Sequence, residues 1–250
     1  MIDPLSDVTR HSYKYGDQSI YFNVRRQAAR KVSRISIHVE PSGCVLVDAP
    51  KDASVRDIVS AVKKRARWIN GHLNAFDRRR SQVLPREYVS GESFLYLGRR
   101  FRLKVIAGAD GEGQVIVRGG HIEVHSRTRN ALSISTALDT WVRSRARIVI
   151  ANRLEEIVAS LRWVDTLPPL RFQMMKVQWG SCSPSGRLTI NPYLVKAHRE
   201  CIDYVLVHEL CHLREHNHSS RFYKLLDRHD PGWRQRKRRL DNLADVILNR

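Results

Sequence analysis

The chain has 250 residues, 42% of them apolar and 28% charged, which suits a globular protein with one large core or two small ones. No apolar run approaches the roughly eighteen residues of a membrane span, the opening MIDPLSDVTRHSYKYGD lacks the apolar core of an export signal, and four scattered cysteines with no CxxC pair exclude a disulfide scaffold, so a cytoplasmic protein with reduced thiols is expected. Forty-four Lys and Arg against 25 Asp and Glu leave a net charge of +19, which suits nucleic acid, an anionic surface or an acidic protein as partner.

In chain order, SIYFNVR at 19–25, VSRISIHVE at 32–40 and GCVLVDA at 43–49 alternate and are rich in β-branched residues. Pro41-Ser42-Gly43 makes the last two a hairpin. Ser54 caps a helix whose apolar positions Val55, Ile58, Val59, Val62, Trp68, Ile69 and Leu73 keep near-helical spacing. SFLYLG, RRFRLKVIA, QVIVR and HIEVHS follow as strands separated by glycines, and a helix runs from about 130 to 162, where Pro168-Pro169 ends the pattern. Residues 170–197 read as an extended segment, a turn at Ser183-Pro184-Ser185-Gly186 and a returning strand to Ile190. Helices are expected over about 198–216, after Ser219-Ser220 and after Asp230-Pro231, with no internal repeat. The fold class is therefore α+β: a β-rich part with one helix over residues 1–130, then a helical part over 131–250, the boundary being soft.

The chemistry gathers in VLVHELCHLREHNHS, residues 205–219. His208 and His212 are four apart, so on a helix they stand one above the other and can meet one zinc ion. Glu209 lies about 100° further round the helix, where its carboxylate can serve as general base without coordinating. Catalytic zinc takes three protein ligands and keeps a position open for water. Two histidines compete for third place. His216 would stand about 12 Å along the axis from His208 at about 1.5 Å per residue. His218 instead breaks the helical register just before Ser219-Ser220, which look like a new N-cap, and a chain turning there can bring it back. His218 is favoured. Glu215 stands where the three-histidine motif usually has glycine, and Asn217 could supply a left-handed bend.

Two blocks, WGSCSPSGRLTINPYL at 179–194 and DYVLVHELCHLREHNHSSRFYKLL at 203–226, with RISIHVEPSGCVLVDAP, RARWI and GESFLYLGRRFRL before them, resemble the YgjP-like zinc metallopeptidases, relatives of the SprT and Spartan proteases among the zincins. The resemblance covers nearly the whole chain. It implies a minimal zincin domain, with His208, His212 and His218 as zinc ligands and Glu209 as base. Gln178, where a basic residue is usual, and His229-Asp230, where apolar residues are usual, depart from the pattern.

Zincins bind substrate as an added strand, and Trp179, Gly180 and Ser181 suit such an edge: glycine admits a foreign backbone and Trp179 offers contact surface. A hairpin with a packed tryptophan fits Trp179 nearly as well. Cys182 and Cys211 read as packed residues, and Tyr204, Tyr223 and His216 are the candidates for stabilising an oxyanion. The expected activity is zinc-dependent endopeptidase action on a protein or peptide. The rivals are a basic nucleic-acid-binding protein with structural zinc and a protease acting on DNA-bound proteins, RQRKRR at 234–239 being the densest basic run.

Overall fold

The computed structural model describes residues 8–16, 18–27, 35–39, 43–81, 85–108, 111–175 and 178–249. It divides into two compact units, Met1–Leu84 and Pro85–Arg250. Mixed α and β structure runs through both, as the sequence leads one to expect.

In the first unit, β1 (Val8–Tyr15) and β2 (Gln18–Gln27) pair antiparallel, β2 runs parallel to β4 (Val45–Pro50), and β3 (Ser36–Val39) pairs antiparallel with β4. The expected hairpin between the last two strands is present as a pairing, although Pro41 and Ser42 of its turn lie outside the described residues. Alternation drives the layering: Ile20, Phe22 and Val24 of β2 and Val45, Val47 and Ala49 of β4 face one way and are buried. Onto them packs α1 (Val55–Ser81), through Ile58, Val62, Ala66 and Ile69. Ser54 caps this helix as expected, its hydroxyl accepting from the Asp57 amide at 3.1 Å. Trp68 does not join the buried stripe; the smaller Ala66 takes the inner position and Trp68 is 46% exposed.

The second unit opens with β5 (Ser93–Tyr96), β6 (Arg99–Ala107), β7 (Val115–Arg118) and β8 (His121–Ser126). Their order, β5-β6-β8-β7, matches the first sheet's β1-β2-β4-β3, with the same antiparallel, parallel, antiparallel pairing. Each sheet is followed by a long helix, here α2 (Ala131–Ser160), capped by Asn130. The topology thus repeats where the sequence shows no repeat. Phe94, Phe101, Leu103, Ile122 and Val124 share one core with Ile134, Leu138 and Val142 of α2 and with the helices beyond. Residues on both sides of position 130 therefore belong together, and the compact unit begins at Pro85 rather than near the soft boundary read from sequence.

Beyond α2 lies a third small sheet, order β10-β11-β9, built from β9 (Leu170–Phe172), β10 (Gly180–Cys182) and β11 (Leu188–Ile190). The turn at 183–186 closes β10 onto β11, with Gly186 at φ +79°. A buried 3₁₀ turn, Pro192–Lys196, then packs on α2. Three helices complete the chain: α3 (Arg199–Cys211), α4 (Ser220–His229) and α5 (Trp233–Leu248). The first of these stops at Cys211, five residues before the expected end at 216. No helix among the described residues is long and apolar enough to cross a membrane.

Candidate metal centre

The apolar residues around the histidine motif seat α3 in the core: Val205, Leu206, Val207 and Leu210 are buried, and Cys201 and Cys211 are fully so. His208 occupies the last turn of α3, and His212 is its C-cap, still right-handed at φ −68° and ψ −15°. The two rings therefore keep one face of the helix although the helix ends between them, with centroids 5.1 Å apart. The chain then bends through residues 212–218 without a left-handed residue. Among the described residues only Tyr88 and Leu97 combine a side chain with positive φ, so Asn217 does not supply the bend as expected. A Ser219 amide donating to the Asn217 carbonyl at 2.7 Å tightens it instead. Ser219 then caps α4, accepting from the Phe222 amide at 3.3 Å.

This return places His218 over the pair. Its centroid lies 5.0 Å from that of His208 and 4.8 Å from that of His212. One ring nitrogen from each of the three falls within 4.8 Å of the others, and the Nε2 atoms of His208 and His218 are 3.0 Å apart. Nitrogens about 2.0–2.1 Å from a tetrahedral zinc would stand about 3.3 Å from one another, so a small contraction or expansion of this triangle accommodates the ion. Neutral imidazoles are the right donors for such a metal. His212 is also held in one tautomer: its Nδ1 lies 3.0 Å from the Glu215 carbonyl, which can only accept, so the proton sits on Nδ1 and the lone pair on Nε2. The fully buried Phe222 ring floors the triangle, 4.9, 4.6 and 4.8 Å from the three imidazoles in order. His216 is not part of this group.

Glu209 is 5% exposed and faces away from the triangle's helix row toward β10. A β-carbon built on Gly180 would meet its Oε1 at 2.7 Å. The buried carboxylate is felt by the thiols beside it. Burial, aided by the charge of Glu209, pushes Cys182 up to about 11, and burial, aided by Glu209 and Asp230, pushes Cys211 up to about 12. Both are neutral thiols at ordinary pH and poor ligands.

Trp179, Gly180 and Ser181 are half-buried, and β10 ends its sheet, with β11 on one side and no described strand on the other. The segment entering β10 is fastened by a residue that the sequence reading passed over, Asn191. This fully buried side chain donates to the carbonyls of Met175 at 2.8 Å and Gln178 at 3.4 Å, and accepts from the Tyr193 amide at 3.1 Å. The backbone N–H of Asn191 also donates to the Trp179 carbonyl at 2.9 Å. The only signal in the sequence is an asparagine before proline at a strand's end.

Tyr204 and Tyr223 flank Trp233 with nearly parallel rings, 6.3 and 5.5 Å away, while Tyr204 also meets His208 edge-on and Tyr223 lies 6.2 Å from His218. Both tyrosines are thus near the triangle. The unusual His229 is accommodated structurally, accepting at Nε2 from the Trp163 indole at 2.8 Å, and burial, assisted by Arg228 and Arg214, lowers its pKa. Asp230 pairs with Arg236.

The YgjP-like metallopeptidase domain matches residues 33–243. No curated protein matches the chain. Among solved structures, the crystal structure of the metallopeptidase zymogen abylysin of Pyrococcus abyssi is similar at 21% identity and a TM-score of 0.33, over 42% of this chain and 97% of that one. The family match extends from the first sheet through the histidine triangle into α5, so the chain belongs to the YgjP-like family and is a metallopeptidase.

Proposed function

We propose that the protein is a zinc endopeptidase in which His208, His212 and His218 hold the metal, Glu209 is the general base, and Trp179, Gly180 and Ser181 of the edge strand receive the substrate. The observation that carries this reading is the convergence of three imidazole nitrogens within 4.8 Å beside a buried glutamate that leans on that edge. Zinc bound there would supply a Lewis acid and lower the pKa of water. Three histidines are the number of protein ligands that catalytic sites use.

The chain's own residues do the rest. An extended peptide adds to the open side of β10 through main-chain hydrogen bonds, and the lack of a side chain at Gly180 lets its backbone come close. Glu209 takes the proton from the attacking water and returns it to the leaving amine. Burial keeps bulk water from competing for that carboxylate. Tyr204 and Tyr223, whose rings neighbour those of His208 and His218, are the candidates for steadying the developing oxyanion.

The test is hydrolysis of an unfolded protein such as casein by the zinc-loaded full chain, with chelator and Glu209→Gln as controls. Activity should vanish with chelator, and should fall at least about a hundredfold in Glu209→Gln while zinc content stays at the wild-type level. Wild-type activity in that variant would remove Glu209 from the chemistry.

A further inference from the structure

The basic runs of this chain differ in whether their charges are already answered. RQRKRR at 234–239 is the densest, and α5 neutralises most of it: Arg234 pairs with Asp227 at 2.6 Å, Lys237 with Asp241 at 2.6 Å, Arg236 with Asp230 and Arg239 with Glu200. It is largely a network that binds helices together.

The helix α1 presents the opposite case. Lys63, Lys64, Arg65 and Arg67 are all exposed, and none takes part in an ion pair found among the described residues. The sequence holds no acidic residue between Asp57 and Asp77. Spacing brings two of these cations to the indole: Lys64 and Arg65 precede Trp68 by four and three residues, so they flank it on the helix surface. Lys64, Arg65, Arg67 and Trp68 line one shallow, open depression. The indole is 46% exposed, and His72, one turn on, meets it edge-on at 4.7 Å. An exposed tryptophan costs solvation without stabilising the core, and here it stands among four unanswered positive charges.

We propose that this face of α1 binds single-stranded nucleic acid, with Lys63, Lys64, Arg65 and Arg67 on the phosphates and a base stacked on Trp68. Charge complementarity requires a polyanion. The indole selects among polyanions, because an unpaired base offers a flat face that a duplex keeps inside its stack. A lipid surface fits less well: the apolar stripe Ile58, Val62, Ala66 and Ile69 is spent on the sheet, and the large apolar side chains that stay exposed among the described residues of the helix, Val55 and Trp68, stand at separate places along it rather than forming an insertable face. The cations are contacts to a repeating backbone rather than a base-reading set, so binding is independent of sequence.

The experiment is fluorescence anisotropy of a labelled oligothymidylate with the full chain between about 50 and 200 mM salt. Four phosphates at about 0.7 per contact give a slope of log K on log salt near −3. Lys64→Glu with Arg65→Glu should abolish binding. Trp68→Ala should weaken it about tenfold or more, and Trp68→Phe should retain most of it. Lys237→Gln, whose charge Asp241 already answers, should leave affinity unchanged, and thermal melting should show every variant folded. Full affinity in Trp68→Ala, tighter binding of duplex than of single strand, preferential capture by anionic vesicles, or no binding of micromolar oligonucleotide at low salt would each overturn the proposal. None of these readouts depends on the metal centre.

Discussion

Gly180 and Glu209 occupy adjoining space so closely that a methyl group at position 180 would stand 2.7 Å from Oε1, 2.8 Å from Cγ and 3.0 Å from Cδ of the carboxylate. The glycine is there for room, since its φ is not in the left-handed region. Gly180→Ala should therefore push Glu209 aside and reduce kcat by about a hundredfold, the scale of a misplacement of about 1 Å, with zinc content unchanged. Glu209→Asp, one methylene shorter, should lose activity in the wild type but little more in Gly180→Ala. Independent, multiplicative losses from the two changes would show that they do not share that space.

Zinc content should separate the histidines. His208→Ala, His212→Ala and His218→Ala should each lose the metal from dialysed protein, because two imidazoles make a poor site. His216→Ala should keep about one ion per chain. Elemental analysis of the four variants decides this; full retention in His218→Ala would reject the third ligand.

Asn191 is the polar residue on which the approach to β10 depends. Asn191→Leu strands the half-buried carbonyls and the buried amide it serves. At about 1–3 kcal/mol for each buried group left unsatisfied, the cost should be about 2–4 kcal/mol in urea unfolding. Peptidase activity should fall further than the stability loss explains, since the edge strand loses its fastening. Wild-type stability would mean that water or the backbone replaces the amide.

The thiols give a pH dependence whose sign is fixed. Burial pushes Cys201 up to about 11 and Cys211 up to about 12, from 9.0 in the unfolded chain. Between these values the unfolded state loses protons that the folded state keeps, so stability is full below pH 9 and declines as pH rises toward 11–12. Urea titrations at pH 7.5, 9 and 10 should show the decline, and Cys211→Ala should flatten it. An identical slope in that variant would assign the alkaline loss to other groups.

The sequence showed what periodicity and fixed spacing encode. His208 and His212 are one turn apart wherever the helix ends, and His218 was favoured over His216 by the rise along the axis together with the break in register before Ser219-Ser220. The bend between them was less legible, because it is made by a tight hydrogen bond at Asn217 rather than by a left-handed residue that leaves a compositional mark. Strand β1 went unread for another reason. Thr9, His11, Tyr13 and Tyr15 alternate with polar residues, but none is fully buried, so an edge strand there carries almost no hydrophobic signal. Val55 and Trp68 were counted in the apolar stripe from spacing, which cannot tell a residue at the margin of a stripe from one inside it. Gly180 was read as room for substrate; that the same glycine also makes room for Glu209 is a contact across the chain that no local pattern encodes.

The twice-used arrangement of four strands and a helix gives the protein two different tolerances for mutation. In the second copy, α2 is committed on several sides, to its own sheet, to the 3₁₀ turn, and to α3, which bears His208 and Glu209. Its surface can drift little without disturbing catalysis. In the first copy, α1 closes its core through one stripe, with Lys63, Lys64, Arg65, Arg67 and Trp68 exposed beside it. Selection can redecorate those exposed positions without touching the core that seats α3.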